Sequence, residues 1–319
     1  MFAQRSFQPL VLLGLLVWIG NAVAARPGLP PPGDPFVDPR NDPYNPMRYI
    51  PSNVLTGVSF ALYVITATAL GLCMRKWGAR WMLCLVVGCY TFSIGLALRF
   101  GLAKNPHSKA IYIVEYLFVV LSPCAFLAAD YILLGHLVQH LNAGQYLFIR
   151  PNRVTKIFLI SDLVTFAVQA CGGGMSTSND LDRLTTGQNL FLAGLAMQMA
   201  SFALFSALYI VFLVRVYRNA PEVWHHNPPV PWYQNWKTLA IALGLSCVGI
   251  LIRSVYRTVE LSQGFHGHLA TTESLFYGLD TYPLFVSVAI YVPFWPGRFI
   301  SESNPSDVTR SGSPAKEKA

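Results

Sequence analysis

Charge is scarce in this sequence. Only 12% of its 319 residues are Asp, Glu, Lys or Arg, while 53% are hydrophobic. A water-soluble domain carries about a quarter charged residues. The shortage excludes an ordinary soluble globule, because too few polar groups exist to cover its outside. Several motifs are missing as well. There is no G-x-x-x-x-G-K-[ST] phosphate loop, so direct use of ATP is excluded. There is no G-x-G-x-x-G turn, and Gly172-Gly173-Gly174 is read as a flexible helix end. Asn304-Pro305-Ser306 fails as a glycosylation acceptor because of its central proline. The six cysteines (Cys73, Cys84, Cys89, Cys124, Cys171 and Cys247) all fall in or beside apolar stretches. A secreted disulfide framework is therefore not indicated, and they read as small packing residues.

Long apolar runs are plentiful. Seven stand out: 52–73, 82–98, 111–138, 154–171, 189–214, 237–255 and 274–294. A bilayer core about 30 Å thick needs roughly 20 apolar residues per helix, so seven spans use about 140 residues and leave room for short loops. Backbone groups left unpaired in lipid are costly, so each run is assigned as a helix. The fold class is all-α: a polytopic membrane protein, a seven-transmembrane-helix bundle over 49–297.

The flanks differ from the bundle. Residues 1–24 read as a signal peptide, with Arg5, a short apolar core over 10–20 and the small-x-small site Ala22-Val23-Ala24. Residues 25–48 hold eight prolines and cannot propagate a helix, which predicts an extended extracellular tail. It is read as a solvated leader, with a ligand lid as the alternative. Residues 298–319 are polar and are expected to form a disordered cytoplasmic tail. Lys and Arg near the helix ends agree with an N-terminus outside and a C-terminus in the cytoplasm. The net charge of +8 is read as these loop charges. No basic face with aromatic or polar readers points to nucleic acid.

Ionisable groups inside a membrane cost roughly 2.5–3.5 kcal/mol each by insertion scales, and often mark a pathway. This chain has several. Arg99 ends the second run and Glu115 opens the third, where Asp130 lies deep. Asp162 and Gln169 are in the fourth and Gln198 in the fifth. Arg253, Arg257 and Glu260 close the sixth, and Glu273 and Asp280 open the seventh. Arg99, Glu115, Asp162, Gln169, Gln198, Arg253, Arg257, Glu260, Glu273 and Asp280 are the candidate lining of a polar substrate cavity, with Asp162 and Asp130 deeper. Buried ion pairs that only lock helices together are the competing reading. Pro123 frees a carbonyl in the third helix and is a candidate kink or gate. His136 and His140 have the i, i+4 spacing of metal ligands but lack a third partner, so no metal and no cofactor is assigned.

Further residues carry a family resemblance. Tyr49-Ile50-Pro51-Ser52 precedes the first helix. Pro123, Tyr131 and Gly135 follow Arg99, then Asp162, Gln169, the three glycines, Gly194-Leu195 and Gln198. The run Arg253-x-x-Tyr256-Arg257-x-x-Glu260 leads to Gly264, Gly267, Glu273, Tyr277 and Asp280, and Pro296-Gly297 closes the set. Over about residues 49–297 the chain resembles the fungal lipid-translocating exporter family, the RTA-like proteins. The resemblance implies seven helices, an external N-terminus, and a plasma or internal membrane. It also implies handling of amphiphiles such as long-chain bases, sterol-like toxins or porphyrins. The chain departs from the family pattern at Phe92 and Leu96, where Glu and Tyr are usual. It also departs at Glu115, where Gln is usual, and at His136 and Trp295.

The leading functional expectation is a translocator or exporter of amphiphilic lipids or lipid-like toxic compounds, with no catalytic residues. Its partners would be membrane lipids and an amphiphilic small molecule. A seven-helix receptor or signalling protein is the alternative, although no Asp-Arg-Tyr ends the third helix, no Asn-Pro-x-x-Tyr lies in the seventh, and no lysine for retinal lies between Lys237 and Lys316. A zinc-dependent intramembrane lipid hydrolase is the third reading, with His136, His140 and Asp162 as candidate ligands and one histidine short.

Overall fold

The structure is a computed structural model that describes residues 34–42, 44–147, 150–176, 180–225, 235–264 and 267–299. The expected signal peptide, the start of the proline-rich tail and all but the first two residues of the expected cytoplasmic tail lie outside the described residues.

Six long helices follow one another: α1 (Asn53–Trp77), α2 (Leu83–Lys104), α3 (Lys109–His140), α4 (Pro151–Met175), α5 (Leu181–Asn219) and α6 (Trp236–Ser262). All six are long and apolar enough to cross a membrane. At 1.5 Å per residue, the 32 residues of α3 reach roughly 48 Å and the 39 of α5 roughly 58 Å, so both project beyond a bilayer core. The ends are set locally. Ser108 caps α3 by accepting from the Ile111 N–H, Asp180 caps α5 through Asp182, and Asn235 caps α6 through Lys237. Pro151 stands in the first turn of α4, where its missing N–H costs nothing.

The seventh element, α7, is broken. It begins as Glu273–Leu275, widens into a π-helix over Phe276–Thr281, and returns to α-helix over Tyr282–Ala289. Pro283 explains part of this: it has no N–H for the carbonyl four residues before it. π-segments concentrate at functional sites, and this one carries Tyr277 and Asp280.

Burial is inverted relative to a soluble protein. Along α1 the exposed residues include Val54, Leu55, Val58, Leu62, Ile65 and Leu72, while Thr56, Tyr63 and Thr66 are buried. On α6, Ile241, Leu245, Val248, Ile252, Val255 and Val259 are exposed, while Arg253 and Arg257 are buried. Such apolar stripes would aggregate in water, and they are what a helix presents to lipid. The protein is a multi-pass helical membrane protein.

The three glycines lie at the end of α4, in its last turn before Met175. A Cβ on Gly172 would meet the backbone of Gly187 and Phe191 in α5, and one on Gly187 would meet Gly172, Met175 and Ser176. Small residues here let two helix backbones touch, the usual device when lipid supplies no hydrophobic drive. Pro123 likewise leaves α3 continuous. The carbonyl it frees, that of Val119, accepts instead from the Arg253 guanidinium at 2.9 Å.

Candidate functional site

The N-terminal segment, the ends of α2, α4 and α6, and the starts of α3, α5 and α7 share one end of the bundle. Seven of the ten candidate residues gather there. Arg99 is 1% exposed and Glu115 2% exposed, and their side chains pair at 3.0 Å. Arg99 also donates to the Tyr49 hydroxyl at 2.7 Å, and its guanidinium lies 4.1 Å from the Phe276 ring centre. Burial pushes the Tyr49 phenol up to about 12, although Arg99 pulls the other way, so Tyr49 stays neutral and receives the Arg99 N–H as a hydroxyl.

Asp280 is fully buried and holds two arginines through Oδ1: Arg257 Nε at 2.5 Å and Arg253 Nε at 3.0 Å. Arg257 reaches on to Glu260 at 3.0 Å. The spacing of Arg253, Arg257 and Glu260 along α6 places all three on one face. Glu273 accepts the backbone N–H of Ser52 at 2.7 Å. Thr56 bonds the Tyr277 hydroxyl, and Tyr63 donates to the Thr281 carbonyl, so α1 is pinned to the broken part of α7. Three guanidiniums (Arg99, Arg253, Arg257) thus meet four carboxylates (Glu115, Glu260, Glu273, Asp280). With all ionised, the cluster carries one negative charge in excess. Several polar atoms in it are buried without a protein partner: Arg99 Nε, Arg257 Nη2 and Asp280 Oδ2.

A cavity of about 50 Å³ opens inside the cluster. Arg99, Glu115, Arg257 and Glu260 line it, with Tyr112, Tyr116 and Phe276, and Pro46, Met47 and Tyr49 of the N-terminal segment close one side. One water requires roughly 10–15 Å³ on this measure, so the space suits a small headgroup and not a long chain. A smaller cavity of about 20 Å³ shares Tyr116 and Arg257 with it, and runs between α3, α5 and α6 past Val120, Leu127, Leu195 and Met199.

The segment before α1 is not a free leader at its end. Asn45 and Met47 are buried, Asn45 donates to the Pro39 and Tyr49 carbonyls, and Asp42 pairs with His107 at 2.5 Å. It closes over the cavity as a lid does.

The other three candidates stand apart. Asp162 accepts from the Tyr131 hydroxyl at 2.8 Å, between α3 and α4. Gln169 and Gln198 bond each other at 2.8 Å across α4 and α5, and Gln198 also lines the smaller cavity. Asp162 and Gln169 share a face of α4, but they are seven residues and roughly 10 Å apart in depth, so one cavity does not collect both. Asp130 is fully buried and bonds Ser246 and Tyr291. His136 stacks on Trp81 at 4.3 Å and His140 is exposed. Among the described residues no group of three or more His, Cys, Asp or Glu could hold a metal ion.

Sequence reasoning missed the aromatic wall. Tyr112 and Tyr116 flank Glu115 at i−3 and i+1, and that spacing was the available signal. Phe276 and Met47 carried no signal, because a phenylalanine or methionine near an apolar run looks like any lipid-facing residue.

Residues 85–303 match the family described as RTA1 like protein. Among curated proteins of Saccharomyces cerevisiae, the chain is 32% identical to Protein RTA1 over 212 residues, 66% of this chain and 64% of that protein. It is 28% identical to Protoporphyrin uptake protein 1 over 204 residues, 64% of this chain and 65% of that one. It is also 28% identical to Sphingoid long-chain base transporter RSB1 over 226 residues, 61% of this chain and 58% of the relative. The matched region is thus under two thirds of the length of each of these relatives. No solved structure matches the chain.

Proposed function

Because the chain belongs to the RTA1-like family, we propose that it moves amphiphiles bearing a cationic amine headgroup across a membrane, without making or breaking any bond in them. One observation carries the reading: a headgroup-sized cavity in a bundle that faces lipid, lined by Arg99, Arg257, Glu115 and Glu260 and set in a cluster that, with every group ionised, has one negative charge in excess. An ammonium entering it would balance that charge and could hydrogen-bond to Glu260, the most accessible carboxylate of the Arg257 network, with 16% of its side chain exposed. Aromatic faces of Tyr112, Tyr116 and Phe276 supply further attraction for a cation. The smaller cavity between α3, α5 and α6 shares Tyr116 and Arg257 with the first, and its apolar residues mark the side on which the chain of the amphiphile would lie once the helices part.

The names of two relatives fit an amphiphilic cargo, and the sphingoid base among them is a cationic amine. One is called a sphingoid long-chain base transporter and another a protoporphyrin uptake protein. Both cargoes join an apolar body to ionisable groups. In this reading the cavity end faces out of the cytoplasm, the N-terminal segment is its lid, and the plasma membrane is the site of action. With no nucleotide loop, movement runs down a gradient of the cargo or of an ion.

The test is purified protein in liposomes with a fluorescent sphingoid base in one leaflet. Wild type should speed its transbilayer movement over protein-free liposomes. Glu260→Gln should slow it about tenfold, the equivalent of one charge-assisted hydrogen bond. Specific binding of the base without movement would support a receptor instead.

A further inference from the structure

The carboxylates of the cavity all face a guanidinium or a backbone N–H. Two others, in the middle of the bundle, do not. Asp130 on α3 is 0% exposed, and its oxygens accept from Ser246 on α6 at 2.8 Å and from Tyr291 beyond α7 at 2.7 Å. Asp162, near the midpoint of α4, is 3% exposed; one oxygen accepts from Tyr131 and the other is buried with no partner. Among the described residues, no Lys, Arg or His pairs with either. Titratable groups that interact electrostatically with Asp130 include Cys84 of α2, Tyr131 of α3, Tyr209 of α5, Cys247 of α6 and Tyr291. For Asp162 they include Cys124 and Tyr131 of α3. All of these are neutral when protonated, and among the described residues no ion pair balances a charge on either carboxylate.

We propose that Asp130 and Asp162 are proton-binding sites in the membrane interior, held as neutral carboxylic acids in this closed arrangement and releasing a proton when the bundle rearranges. An ion in lipid without a counter-charge is expensive, and protonation removes the charge at once. The balance is that of an acid: –COOH gives –COO⁻ and H⁺, the proton passing to water admitted between the helices. The positions tie this event to helix packing. Asp130 joins α3 to α6 and to the end of α7, and Asp162 joins α4 to α3 through Tyr131. A carboxylate formed at either place would draw water in and loosen those contacts, and reprotonation would close them. Resting on the transport reading above, this makes the proton gradient the ion gradient that drives the cargo.

Infrared spectroscopy of the purified protein at neutral pH tests the protonation directly. The carbonyl stretch of a carboxylic acid should be present in wild type, and Asp130→Asn and Asp162→Asn should each remove part of it. Should Asp130→Asn misfold, Tyr291→Phe keeps the acid but removes one partner, and should shift the band instead. No carboxylic-acid band, or a band unchanged in every variant, overturns the proposal. In the liposome assay, an imposed pH gradient should change the initial rate of the labelled sphingoid base several-fold more in wild type than in Asp130→Asn. The titration of the base itself is common to both. Equal responses overturn the link to transport. A wild type that moves no base overturns the transport reading, and the infrared result then stands alone.

Discussion

Glu115, Glu260 and Asp280 each face an arginine, whereas Asp130 and Asp162 face only hydroxyl groups. Glu115, Asp280, Asp130 and Asp162 are buried and Glu260 is partly buried, and all but Asp280 lie on helices long enough to span a bilayer. The difference lies in how each avoids the cost of a bare charge in lipid. At the cavity end, carboxylates are matched with arginines, and with every group ionised one negative charge is left over. In the middle, no matching cation pairs with them among the described residues, so charge is absent unless a proton leaves. The first arrangement suits recognition of a charged headgroup, and the second suits the binding and release of protons.

The comparison breaks most visibly at Asp280. Asp280→Leu leaves Arg253 and Arg257 buried without their common partner, and should cost about 3–5 kcal/mol in reversible unfolding from detergent. Next, Glu115→Leu should cost about 3 kcal/mol because Arg99 keeps only Tyr49 and aromatic faces. Adding Arg99→Met should recover much of that loss, and the double-mutant cycle measures the coupling. In the middle of the bundle the expected effects shrink. Asp130→Asn keeps a neutral group of the same shape and should change stability by less than about 1 kcal/mol. Tyr291→Phe removes one hydroxyl bond and should cost about 0.6 kcal/mol. If Asp130→Asn proved as damaging as Asp280→Leu, Asp130 would be charged and the contrast would fail. An effect of similar size belongs to the lid: Asp42→Asn weakens a partly exposed pair with His107 and should cost about 0.2–1 kcal/mol, with faster exchange of the amide hydrogens near Met47.

Much of this was legible in the sequence. Apolar run lengths located the six long helices, because lipid imposes one length and one composition on every span. The grouping of Arg253, Arg257 and Glu260 followed from helical spacing alone. The break in α7 was less legible: Pro283 hinted at it, but a π-turn depends on partners in α1 such as Thr56 and Tyr63, which are over 200 residues away in the chain. The role of Pro123 was half legible. A proline announces a freed carbonyl, but only the fold shows that Arg253 takes it. Docking of the segment around Met47 was not legible, since its prolines look the same in a free leader and in a packed lid.

The most direct measurement compares two labelled amphiphiles in the same liposomes: a sphingoid base, and its N-acetylated form, which has the same chain and no ammonium. The account predicts that the wild-type protein moves the amine at least several-fold faster than the amide, and that Glu260→Gln narrows the difference. Equal rates for the two in wild type would contradict recognition of a cationic headgroup by this cavity.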